Sequence, residues 1–83
     1  MSDAATDYEA LLAEIDLAES RLARALTSDV PSTAEHEYLK AREAYRHVVE
    51  LHPSLNLPPV QRDALTEQLA LLRSHLEEFE GRR

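Results

Sequence analysis

The sequence contains no cysteine and no tryptophan, and it has a single glycine, Gly81, among 83 residues. The absence of cysteine excludes disulfides, thiolate metal sites and cysteine nucleophiles, and it is compatible with a reducing cytoplasm. One glycine is too few for a loop that wraps phosphate groups through backbone amides, and no nucleophile-elbow motif occurs. We therefore expect a protein that is not an enzyme, with no catalytic residues, no cofactor and no metal.

The sequence also has no long hydrophobic run and no basic residue near its N-terminus. No apolar run approaches the ~20 residues that cross a bilayer, so no membrane partner is expected. The first nineteen residues contain no Lys or Arg, which does not fit a secretory signal. The net charge of −7 argues against a nucleic-acid partner, because duplex DNA binders need a basic surface. The abundance of Arg, Ala and Leu suggests a bacterial protein, which we expect in the cytoplasm.

Residues that strongly favour helices dominate the composition, which predicts an all-α protein. We expect a single helical domain over residues 1–83, with helices at roughly 6–28, 32–52 and 59–80 and disordered ends at 1–5 and 81–83. Helices of similar length joined by short connections pack antiparallel. The predicted fold is a three-helix antiparallel bundle with up-down-up topology, possibly completed or extended by dimerisation. A long helical hairpin that completes its core only in a dimer is the alternative.

Apolar residues recur three or four positions apart in each predicted helix, which places them on one face. The first stripe is Tyr8, Leu11, Leu12, Ile15, Ala18, Leu22, Ala25 and Leu26. The second is Ala34, Tyr38, Ala41, Tyr45, Val48, Val49 and His52. The third is Leu65, Leu69, Leu72, Leu76 and Phe79. These stripes predict the core, although the three tyrosines, Tyr8, Tyr38 and Tyr45, also suit a groove for a partner.

The predicted helix ends carry recognisable signals. Thr6 with Glu9, and Ser32 with Glu35, have the spacing of reciprocal N-terminal capping boxes. Gly81 is predicted to adopt a left-handed conformation at the end of the third helix.

The connection "ELHPSLNLPPV" contains three prolines and two leucines, Leu55 and Leu57. We interpret it as a packed corner whose leucines close the end of the core. A proline-rich ligand motif is the weaker alternative, because Pro53 lies five residues before Pro58 rather than three.

The histidines are not expected to form a metal site. Glu43 and His47, four residues apart, would both reach one zinc ion, but the third and fourth ligands are missing. We expect them to be solvated on the outer face of the second helix, together with His36 and Glu50. His52 continues the apolar stripe, and we predict that it is half-buried and bonded to the backbone of the corner.

Apolar residues outside the stripes predict an interaction face, since they widen the hydrophobic surface beyond the core. Its members are Ala10, Ala13, Leu17, Ser20, Leu39, Ala64 and Leu71. The predicted function is a small protein–protein interaction module, an adaptor or co-chaperone-like helical protein, whose partner is another protein or a second copy in a homodimer. The alternative is an acidic decoy or inhibitor that captures a basic surface through the acidic face of the first helix. That face comprises Asp7, Glu9, Glu14, Asp16 and Glu19.

Overall fold

The computed structural model describes the backbone of residues 4–82 and the side chains of residues 7–82. It contains three long helices, α1 (Ala4–Thr27), α2 (Pro31–Leu51) and α3 (Pro59–Gly81), and a short 3-10 helix at His52–Ser54. At 1.5 Å per residue the three α-helices span about 30 to 36 Å, so their lengths match. They pack as a three-helix bundle, and the prediction of an all-α, up-down-up fold is confirmed.

The core consists of the three predicted stripes, and it lies along the shared axis of the bundle. Buried side chains repeat at steps of three and four because that spacing keeps them on one face of a helix. They are Leu11, Ile15, Ala18, Leu22 and Ala25 from α1, Tyr38, Ala41 and Val48 from α2, and Leu65, Leu69, Leu72, Leu76 and Phe79 from α3, joined by Leu57 from the connection. Among the described residues, no polar or charged residue is buried.

The connection between α2 and α3 is a packed corner, as predicted. Leu57 is only 3 % exposed and belongs to the core, while Leu55 is half-buried against it. The Leu55 amide donates to the His52 carbonyl at 3.2 Å, and the Leu57 amide donates to the Leu55 carbonyl at 3.0 Å. The guanidinium of Arg62 donates to the Leu57 carbonyl at 3.2 Å. Backbone hydrogen bonds and two inward leucines therefore hold this segment against the helices.

The predicted capping box of α2 is wrong. The helix begins at Pro31, with Val30 as its extended N-cap residue and no side-chain hydrogen bond at the cap. Proline suits this first position because its fixed φ is helical and its missing N–H has no helical partner to lose. Ser32 therefore lies inside the helix. The hydroxyl of Ser28 accepts a hydrogen bond from the Val30 amide at 3.2 Å instead.

The start of α1 and the end of α3 also differ from the prediction. α1 begins at Ala4, two residues before Thr6, whose side chain lies outside the described part of the chain. α3 continues through Gly81, which has no positive φ, and the C-cap residue is Arg82 in a right-handed conformation. The left-handed cap at Gly81 is therefore wrong. Of the ends predicted to be disordered, residues 1–3 and 83 lie outside the described residues, whereas Ala4 and Gly81 are helical.

Candidate interaction surface between the first two helices

A surface groove between α1 and α2 contains two of the leucines that the core does not use. Leu17 is 51 % exposed and Leu39 is 49 % exposed. The remaining lining residues are mostly charged, with one small apolar side chain among them: Glu14, Arg21, Lys40, Arg42, Glu43, Ala44, Arg46, His47 and Glu50. Protein interfaces commonly combine an apolar centre with a polar, solvent-accessible rim.

The groove concentrates positive charge in an otherwise acidic chain. Four of the nine Lys and Arg residues line it: Arg21, Lys40, Arg42 and Arg46. Arg21 pairs with Glu37 at 3.4 Å, and Arg46 lies 3.9 Å from Glu50 one turn along α2. Lys40 and Arg42 form no ion pair with any described residue. Lys40 and Arg42 are therefore exposed near Leu39 without an ion pair, in a groove that also contains Glu43.

Two pairs of side chains that contact each other across the junction show the relative height of α1 and α2. The Nη1 atom of Arg21 lies 3.4 Å from Oε2 of Glu37, and Nδ1 of His47 lies 2.6 Å from Oε1 of Glu14. Residues 14 and 21 of α1 are thus level with residues 47 and 37 of α2. His47, predicted to be solvated, instead contacts a neighbouring helix, although its side chain stays exposed.

The structure places only part of the predicted interaction face on this groove. Leu17 and Leu39 line it. On α1, Ala10, Ala13 and Ser20 are exposed near Leu17 in sequence. On α3, Ala64 is half-buried and Leu71 is 51 % exposed, but neither lines the groove. The predicted interaction face does not include the cations of α2. Three of them fall within residues 40–46 of an acidic chain, and this clustering is the sequence signal that identifies them.

The predicted acidic face is divided between two roles. Glu14 contacts His47 of α2, and Glu19 contacts His75 of α3 with its nearer oxygen at 2.8 Å. Both carboxylates therefore join helices within the bundle. The other three members of the face, Asp7, Glu9 and Asp16, form no ion pair with a described residue, and Glu9 and Asp16 are exposed.

A second, smaller groove between α2 and α3 is lined by His52 and Tyr45, among other residues. His52 is half-buried, as predicted, but its Nδ1 atom is buried without a hydrogen-bond partner, so the predicted bond from this atom to the corner is wrong. The corner amides bond to backbone carbonyls instead. Tyr45 packs against the core and also lines this groove, whereas Tyr38 is fully buried and Tyr8 is half-buried.

Within the described residues, no cluster of three or more His, Asp or Glu side chains is placed to hold a metal ion. In the same part of the chain, none of the helices combines the length and apolar character needed to cross a membrane. The chain matches no protein-family model, no curated protein and no solved structure.

Proposed function

We propose that this chain is a non-enzymatic protein–protein interaction module that binds its partner through the groove between α1 and α2. The observation that carries the proposal is the position of Leu17 and Leu39. Each lies on a different helix and keeps about half of its surface exposed, yet both line the same groove. Isolated exposed leucines are ordinary, whereas two that share a groove with unpaired cations favour binding of an apolar segment that also carries acidic groups.

The energetics indicate a modest, reversible interaction. Full burial of a leucine side chain contributes about 1.5 to 3 kcal/mol, and Leu17 and Leu39 have only about half of that left to gain. Together they contribute roughly 1.5 to 3 kcal/mol, which is below the estimated 4 to 15 kcal/mol cost of association. The partner must therefore also contact the flanking small residues and the cations of α2. An adaptor or co-chaperone-like protein that exchanges partners fits such an interface.

An acidic decoy that captures a basic surface is the second candidate, and the exposed carboxylates of Glu9 and Asp16 favour it. It has less support because Glu14 and Glu19 already contact histidines of the neighbouring helices. Salt separates the two functions. A decoy complex should weaken steeply as the ionic strength rises, whereas a complex in the groove should lose only the part that the cations of α2 contribute.

The proposal is tested by placing a photo-crosslinking amino acid at position 39 and irradiating the source cells. A protein bound in the groove should be captured, and the adduct should be larger than the chain. Position 71 is the matched control, since Leu71 is as exposed as Leu17 but does not line the groove.

The crosslinked adduct should disappear when Leu17→Glu is introduced into the same chain, because a buried carboxylate opposes docking of an apolar segment. Absence of any adduct from position 39, or equal adducts from positions 39 and 71, would overturn the proposed binding face.

A further inference from the structure

We infer that the occupant of the groove between α1 and α2 is a second copy of the chain, related to the first by a two-fold axis that runs parallel to the helices. This inference rests on the proposed function, since it names the partner of the same groove. It follows from the charges, the register and the small residues of the two helices.

The chain carries both halves of a charge-complementary pair on adjacent helices. The outer surface of α1 presents Asp16, which is exposed and forms no ion pair with a described residue. The centre of α2 presents Arg42 in the same exposed and unpaired state. A two-fold axis exchanges the two copies, and one that runs parallel to the helices beside the groove places α1 of each copy opposite α2 of the other. Asp16 of each copy then supplies a carboxylate to Arg42 of the other.

The register within one chain sets the heights at which these charges meet. Glu14 is level with His47, and Arg21 is level with Glu37. Asp16 lies two residues beyond Glu14, about 3 Å along the helix axis, which places it near the height of residue 45 of α2. A two-fold axis parallel to the helices preserves heights. The carboxylate of Asp16 in one copy therefore lies between the heights of Arg42 and Arg46 in the other.

The surface of α1 around Leu17 suits close approach of another helix. Ala13 and Ser20 are exposed and small, and they flank the height of Leu17. Small side chains let helix backbones approach more closely, so that Leu17 of one copy can reach the groove of the other. Small residues alone specify no partner, and here the height of Asp16 opposite Arg42 points to a second copy of the chain.

The inference is tested by sedimentation of the purified chain over a concentration series from about 1 µM to about 1 mM, the range in which a modest interface assembles. We expect a reversible transition from the 9.4 kDa chain to a particle of twice that mass. A monomer throughout the series would overturn the inference, and so would a larger assembly without a dimer.

Matched leucine variants test the position of the interface. Leu17→Glu and Leu39→Glu should each abolish the dimer, while Leu71→Glu should leave the dissociation constant within about twofold of the unchanged chain. Circular dichroism verifies that each variant remains helical. Equal weakening by Leu71→Glu would place the interface elsewhere and overturn the inference.

A charge exchange tests the register. Asp16→Arg should weaken the dimer, by about tenfold if the loss is about 1.4 kcal/mol, and Arg42→Glu, which breaks no ion pair between described residues, should do the same. Combining them should restore at least part of the loss, because the opposite charges meet again with their signs exchanged. Additive losses without rescue would overturn the proposed axis.

The cellular crosslinking result distinguishes this inference from the proposed function. Capture at position 39 of an adduct that is not twice the mass of the chain, together with a monomeric purified protein, rejects the second copy while the binding function stands. Absence of both the adduct and the dimer rejects both.

Discussion

The junction between α1 and α2 differs from the junction between α2 and α3 in the side chains that bridge it. Arg21 and Glu37 join α1 to α2 by an ion pair near the solvent. Across the second junction, the buried ring of Tyr38 stacks on Phe79, with centroids 4.8 Å apart and an interplanar angle of 21°. The Tyr38 hydroxyl also donates a hydrogen bond to the carboxylate of Glu80.

These two kinds of contact contribute very different free energies. A buried aromatic side chain loses a large apolar area and many dispersion contacts when it is truncated, whereas an ion pair near the surface contributes at most about 1 kcal/mol. The charged side chains at the surface of the α1–α2 junction can therefore exchange partners without unfolding the bundle. The candidate groove therefore lies at the junction whose charged side chains can be rearranged at the smaller cost in folding free energy.

Removal of the Tyr38 ring is expected to have the largest effect on the bundle. Tyr38→Ala should lower the free energy of unfolding by about 3 to 5 kcal/mol, since it leaves a cavity at the α2–α3 junction. Urea denaturation followed by circular dichroism measures the change. Tyr38→Phe is the control, because it keeps the ring and loses only the hydroxyl, at a cost of roughly 0.5 to 1.5 kcal/mol. Equal losses for both variants would contradict the dominance of ring packing.

Truncation of Leu57 tests whether the corner that joins α2 to α3 belongs to the core. Leu57→Ala should cost at least about 2 kcal/mol, because the side chain is only 3 % exposed. Leu55→Ala should cost less, since Leu55 is half-buried. The same denaturation experiment ranks the two. Near-zero losses for both would mean that the segment is a linker and not part of the second junction.

Most of the fold is predictable from the sequence, because helical periodicity depends on spacing along one chain. Leu65, Leu69, Leu72 and Leu76 all fall on the predicted stripe and are all buried. Predictions of helix ends were less accurate. Several signals compete there within two or three residues, and Pro31 overrode the capping box at Ser32.

The candidate site was only partly predictable for a different physical reason. Leu17 and Leu39 were identified because each lies off its stripe, which is a property of one helix. Their presence on one groove depends on the rotation and height of α1 relative to α2, and periodicity does not specify either. The contact of Glu14 with His47 was missed for the same reason.

The ion pair at the first junction is expected to have a small effect on stability. A double-mutant cycle with Arg21→Met and Glu37→Gln should give a coupling energy of about 0.2 to 1 kcal/mol, as is typical of partly exposed pairs. Urea denaturation of the four proteins provides the measurement. A coupling above about 2 kcal/mol would remove the contrast between the charged and the aromatic junction.

The smallest expected effect is a gain in stability at the end of α3, where Phe79 and Glu80 reach α2. Gly81 is helical, its φ is not positive, and a Cβ added there would meet no atom within 4 Å. Glycine costs about 1 kcal/mol relative to alanine inside a helix, and less at its last residue. Gly81→Ala should therefore stabilise the bundle by a few tenths of a kcal/mol, which thermal unfolding can detect. If Gly81 were left-handed, alanine would instead destabilise the bundle by about 1 to 2 kcal/mol. The sign of the change in stability therefore distinguishes a continuous last turn beside Tyr38 from a left-handed cap.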